Sequence, residues 1–195
     1  MTDTTMHAST STGIDSGKLG MWAFLSSEAL FFGALIANYL LFKGRELQGI
    51  HPRELLNIPF TSASSFVLLM SSLTMVLAHA ALTREDQKHA RLWLLATAGL
   101  GMAFIGGQVF EFSSFYREGM TLATNPASSS FFVLTGFHGA HVTVGIIMLL
   151  TLVGISLRQG SLSFGKGLNL ELVGLYWHFV DIVWIVIFTV VYLIR

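Results

Sequence analysis

"MWAFLSSEALFFGALIANYLLF" runs from Met21 to Phe42 and decides the fold class. It is apolar almost throughout and carries one carboxylate, Glu28. A bilayer core of about 30 Å needs about 20 apolar residues in a helix that rises about 1.5 Å per residue. This stretch meets that length. Four more segments do the same: Ser62–Leu82, Leu92–Phe112, Ser130–Leu157 and Glu171–Ile194. None is short or alternating, as a barrel strand would be. In lipid, long uniform apolar runs satisfy their backbone groups as helices. The expected fold is therefore all-α: a polytopic membrane bundle of five transmembrane helices over 18–195, after a disordered Thr- and Ser-rich tail over 1–17.

Composition agrees. The chain has 195 residues, 53% of them hydrophobic and 11% charged, whereas soluble domains average about 25% charged. The formal net charge is zero, which gives no basic surface for nucleic acid. There is no cysteine, so disulfides, thiolate metal sites and thiol catalysis are excluded. The N-terminal tail lacks the basic region of a secretory signal, so the first helix reads as retained.

The connections read as polar linkers: "KGRELQGIHPRELLNIP", "TREDQKHAR", "NPASSS" and "RQGSLSFGKGLN". Five spans put six Lys and Arg on the side of the N-terminus and five on the other. That small excess places the N-terminus in the cytoplasm and the C-terminus outside. Three pairs or rows of small residues lie at helix-packing spacing: Ala29, Gly33 and Ala37; Ala103 and Gly107; Gly136 and Ala140. Such rows let backbones approach, and packing within the chain is their simplest reading, with an intersubunit face as the alternative.

Polar residues at depth are the candidate site. Glu28 falls near the middle of its helix, where a charge is costly. It escapes that cost by protonation, by a hydrogen-bonding or cationic partner, or by facing water. His138 and His141 stand three apart in "TGFHGAHVTVG", as do His178 and Asp181 in "YWHFVDIVW"; each pair shares a helix face. His141 and Asp181 sit at depths that would put them in one layer with Glu28. His79 and Glu111 lie nearer helix ends. A hydrogen bond between His178 and Asp181 is the favoured structural role for that pair. The Glu-x-x-His repeats of di-iron bundles are missing, so metal and haem in this chain are disfavoured. Tyr176, Trp177, Phe179 and Trp184 read as packing or lipid-facing. No Walker, nucleophile-elbow or dinucleotide motif is found.

Four stretches together resemble subunit III of the haem–copper terminal oxidases: "GMWAFLSSEALFF", "SSFFVLTGFHGAHVTVG", "YWHFVDIVWIVIF" and, less closely, "VLAHAALTREDQKHA". They span the chain from its first helix to its last. The resemblance is to the five-helix bacterial form, which lacks two helices that seven-helix members place before the buried Glu. It implies an accessory subunit in the bacterial plasma (inner) membrane, with no catalytic residue, metal or redox cofactor of its own. Its implied partners are subunit I above all, subunit II and other subunits of the complex, and phospholipid; haem and copper lie in partner subunits. The complex reduces oxygen to water and moves protons, with subunit III supporting turnover and proton uptake.

Residue by residue, the resemblance makes Glu28 the family's carbodiimide-reactive buried acid, at a lipid or subunit I contact. It gives His79, Glu111, His138, His141, His178 and Asp181 interhelical polar contacts, and it places a lipid-headgroup arginine at Arg158. Electron donor, quinol or cytochrome c, is read by other subunits. An accessory subunit of nitric oxide reductase, a free-standing proton-coupled transporter and a haem-binding cytochrome are the competing readings.

Overall fold

The computed structural model describes residues 15–43, 57–159, 162 and 168–194. Most of the tail assigned to 1–17, and most of the first and last linkers, lie outside these residues. Five helices follow in order: α1 (Ser16–Lys43), α2 (Ile58–Thr83), α3 (Gln87–Arg117), α4 (Pro126–Gln159) and α5 (Leu168–Phe188). The last continues into a π-helical turn over Thr189–Leu193. All five are long and apolar enough to cross a membrane. The chain is an all-α, five-helix, multi-pass membrane bundle.

Side chains that bond their own backbone set the helix starts. Asp15 accepts from the Gly17 N–H at 2.7 Å. Asn57 accepts from the Phe60 N–H at 3.2 Å, with Pro59 in the first turn. Asn125 accepts from the Ser128 N–H at 2.8 Å and Pro126 opens α4. "NPASSS" is thus a helix start and not a linker, because proline needs no N–H partner there.

The charged stretch between α2 and α3 also corrects the linker reading. Only Arg84, Glu85 and Asp86 lie outside the helices. The Glu85 N–H bonds the Leu82 carbonyl at 2.9 Å and the Asp86 N–H bonds that of Ala81 at 3.0 Å. These bonds close the end of α2 with Glu85 at φ 61°. Asp86 then caps α3 through the His89 N–H at 3.1 Å and bonds the His89 ring at 2.6 Å. Caps at both ends leave the polar residues nothing to do but turn the chain.

The helices form a ring, α1–α4–α3–α2–α5 and back to α1, with α4 also packed on α5 across it. α1 is peripheral. It buries Leu25, Phe32 and Tyr39, one residue per two turns. Its small-residue row, Ala29, Gly33 and Ala37, is exposed, and nothing stands within 4 Å of where a Gly33 Cβ would be. Gly136 is equally open, and Ala103 and Ala140 are exposed. Of these residues only Gly107 is pressed against a neighbour, Ser64 of α2. The close approach that matters is elsewhere. Trp177 of α5 lies between Gly101 of α3 and Gly145 of α4, where an added Cβ would come within 2.7 and 2.8 Å of the indole. Large ring and absent side chains are complementary, so three helices meet at one residue.

Candidate functional site: the buried polar groups

α2 organises much of the interior. Its buried face carries Thr61, Ser65, Leu68, Ser71 and Met75, spaced three or four apart so that they line one side of the helix. Ser71 accepts from Trp177 Nε1 at 3.0 Å, and Ser65 from Trp184 Nε1 at 2.8 Å. Both indoles are buried inside the bundle, which corrects the lipid-facing alternative. A buried indole N–H needs an acceptor, and the serines supply it. The sequence signal was present in "TSASSFVLLMSS": small hydroxyls on the face that must meet α5.

Glu111 has the most complete set of partners. Its carboxylate accepts from Thr61 of α2 at 2.8 Å and from the Tyr192 hydroxyl in the π-helical turn at 3.0 Å. Three elements meet there, and the side chain is buried. Tyr192 and Thr61 were not singled out from sequence.

Glu28 and His141 face each other across α1 and α4, with Oε2 and Nε2 3.1 Å apart. Both side chains are 18% exposed, so the pair is shielded without being sealed. His141 Nδ1 reaches its own helix, 2.7 Å from the Phe137 carbonyl. That carbonyl can only accept, so Nδ1 carries a hydrogen, and a hydrogen bond between Nε2 and Glu28 needs one further proton shared by the pair. Either a protonated Glu28 or a doubly protonated His141 then supplies the shared proton. The Tyr176 hydroxyl donates to the His141 carbonyl at 3.0 Å, adding α5 to the contact.

His138 makes no interhelical hydrogen bond, which corrects that expectation. It is wholly buried and neither ring nitrogen has a partner among the described residues. Aromatic rings hold it instead: Trp184 stacks at 4.8 Å, while Phe104 and Phe32 present edges at 5.9 and 6.3 Å. The shared helix face of His138 and His141 predicted neighbours, yet the offset of about 60° that three helical residues leave sends one ring inward and the other toward α1.

His178 and Asp181 do not bond each other. His178 Nδ1 lies 2.6 Å from Ser72 Oγ on α2. Asp181 is buried, and neither carboxylate oxygen has a hydrogen-bond partner among the described residues. Ser72 also stands beside Asp181, short of a closed hydrogen bond. Asp181 therefore does not join Glu28 and His141. It belongs with α2.

His79 and Arg158 are exposed. Among the described residues the His79 side chain bonds no neighbouring helix, which corrects its assignment as an interhelical contact; it lines a cavity of about 320 Å³ between α2 and α5 with His178 and Glu171. Arg158 ends α4. The arginine that ties helices there is Arg91 of α3, through Nε to the Ser156 hydroxyl at 2.7 Å and through a terminal nitrogen to the Ser156 carbonyl at 3.0 Å. At the other end, Lys43 of α1 donates to the carbonyls of Val190, in the π-helical turn that continues α5, and of Ile194 just after it. A lysine at a helix C-terminus also meets favourable partial charge. Among the described residues no group of three or more metal-type side chains is gathered.

The family model for cytochrome c oxidase subunit III matches residues 1–194. The chain belongs to that family. Among similar proteins is a probable quinol oxidase subunit 3 of Staphylococcus saprophyticus, 40% identical over 91% of this chain and 88% of the relative. A cytochrome c oxidase subunit 3 of Bacillus sp. strain PS3 is 38% identical over 90% and 84%. One from Thermostichus vulcanus is 36% identical over 92% and 88%. Subunit III relatives thus come from oxidases of both donor types, and the match covers all five helices. The polar residues singled out from the sequence lie on these helices, bonded in the case of Glu28, Glu111, His141 and His178, and without hydrogen-bond partners among the described residues in the case of His138 and Asp181.

Proposed function

We propose that this chain is the accessory, non-redox subunit III of a proton-pumping haem–copper oxidase that reduces oxygen to water. The whole-chain family match carries the reading. In it, the chain stabilises subunit I, binds phospholipid and supports proton uptake and sustained turnover, while haem and copper reside in partner subunits. The membrane is the bacterial plasma membrane, with the N-terminus in the cytoplasm.

The geometry supports a scaffold. Glu111, Glu28 and His178 each bond across helices, as a rigid docking surface requires. The outward face of α1, with Trp22, Leu30 and the Ala29, Gly33 and Ala37 row, supports contact with subunit I or lipid beside Glu28. The exposure of Arg158 at the end of α4 supports a contact with an anionic headgroup, worth about 1 kcal/mol near a membrane surface.

Extraction of the tagged chain in mild detergent tests this. High-spin haem and copper should co-purify with oxygen consumption, and the donor that drives it, quinol or cytochrome c, defines the complex. A nitric oxide reductase spectrum or a colourless lone chain would refute the assignment.

A further inference from the structure

Asp181 is a carboxyl in the bundle interior, 3% exposed, with neither oxygen bonded among the described residues. Such a group calls for an explanation, and the accessory role gives it none. What surrounds it is informative. Ser72 stands beside it and lies 2.6 Å from His178 Nδ1. His178 in turn lines the cavity between α2 and α5. The walls of that cavity are largely apolar, with Met75, Val76 and Gly174 among them, and its polar groups are His178, His79 and Glu171. Any side chain at position 174 would crowd Met75, its Cβ 3.2 Å from the Met75 methyl. His79 is exposed, and Glu171 is paired with Lys18 of α1 at 2.7 Å on the surface. The titratable groups lining the cavity are thus His79 from α2, and Glu171 and His178 from α5, with Lys18 of α1 held against Glu171.

These residues form one line from the surface to the interior. We propose that the α2–α5 cavity is a proton-access path that loads Asp181 through His178 and Ser72. A volume of about 320 Å³ accommodates several waters at about 30 Å³ each. The step balances. A hydronium in the cavity gives a proton to His178 Nε2. The Nδ1 proton passes to Ser72 Oγ as the Ser72 hydroxyl proton passes to the Asp181 carboxylate. Asp181 ends as the neutral acid, Ser72 as a hydroxyl, His178 as the other neutral tautomer and the hydronium as water. Asp181 is then an internal carboxyl that exchanges protons with one membrane face, the face where α2 ends and α5 begins.

Infrared difference spectroscopy on the purified complex tests this independently of oxygen reduction. A pH step should produce a protonated-carboxyl C=O band that Asp181→Asn removes and Asp181→Glu shifts. On transfer to D2O, exchange of that band should slow about a hundredfold in Ser72→Ala and in His178→Phe, the lower range for loss of a positioned proton-transfer group. His79→Ala should slow it less. Should Asp181→Asn fail to accumulate, the Asp181→Glu shift assigns the band and the Ser72 and His178 variants carry the kinetics. The proposal is overturned if neither change at Asp181 alters any carboxyl band, or if the band exchanges at the native rate in both relay variants.

Discussion

Glu28 Oε2 lies 3.1 Å from His141 Nε2, a contact that joins the peripheral helix α1 to α4. Because α1 buries few side chains of its own, this polar contact holds a larger share of its docking than the same bond would elsewhere. Glu28→Gln keeps a hydrogen-bonding amide at that distance, and Glu28→Leu does not. The expected outcome is unchanged oxygen reduction per haem in Glu28→Gln. Glu28→Leu should lower the stability of the assembled subunit by about 1 kcal/mol, the scale of interhelical hydrogen bonds in membranes. Thermal unfolding in detergent, read beside haem content, checks both. Loss of oxygen reduction in a Glu28→Gln complex that retains its haems would show chemistry where we see a clamp.

Glu111 invites a different comparison. Thr61→Val and Tyr192→Phe each delete one donor to the same carboxylate. Each should destabilise by about 1 kcal/mol. Since the two donors share one acceptor, the double variant should depart from additivity by at least about 0.5 kcal/mol. Additive losses would mean that the hydroxyls act separately.

Crowding at Trp177 gives the largest expected effect. Gly145→Ala and Gly101→Ala each drive a methyl against the indole, and overpacking of this kind costs about 1–3 kcal/mol. Trp177→Phe should recover part of the loss in the Gly145→Ala background, because a smaller ring frees the space. Melting temperatures of the three variants decide the matter; no recovery would place the strain in the backbone.

The turn between α2 and α3 should respond to acid. The Asp86 carboxyl is held below its ordinary value of 3.8 by the backbone N–H of His89 and then by the His89 ring. A carboxyl lowered in the folded state contributes its stability fully above 3.8 and loses it as pH falls through the lower folded value. Local amide exchange at His89 should therefore speed up in that acid range and not above it. Asp86→Asn should abolish the acid dependence. Protection that changes only near neutral pH would assign the response to another group.

Glu85 occupies the left-handed region at φ 61°, which costs a residue with a side chain about 1–2 kcal/mol. Glu85→Gly removes that cost and adds chain entropy to the unfolded state. The net expectation is a small gain in stability, readable as a raised melting temperature. A loss would show that the Glu85 side chain makes contacts worth more than the strain.

The bundle was legible because the five apolar runs are long and each is separated by breakers or charges. What escaped was the rotation of each helix about its axis. Periodicity is weak when lipid and protein interior are both apolar, so Ala29, Gly33 and Ala37 read as a packing face although they look outward. The same ambiguity hid the serines of α2, whose meaning depends on which residues of α5 they oppose. His178 and Asp181 share a helix face by spacing, but each is also within reach of Ser72, and a partner on another helix is invisible to spacing. Arg158 and Arg91 illustrate the point at the membrane surface: charge can be counted from sequence, whereas the Ser156 that captures Arg91 requires the fold. Pro59, Asn125 and Asp86 were local signals of helix starts, and all three stood inside stretches whose polarity suggested linkers.

The Lys43 contact with the Val190 and Ile194 carbonyls bears on the order in which the chain is made. α1 packs chiefly on α4 and α5, the last helices to be synthesised. The first helix must then wait in the bilayer while the 147 positions from Lys43 to Val190 are added, and its last latch closes only with the final turn. A ribosome that stops short of Val190 would leave Lys43 without either of these acceptors and Glu111 without one of its donors, so premature termination at the last few codons should loosen α1 even though all five helices have been made.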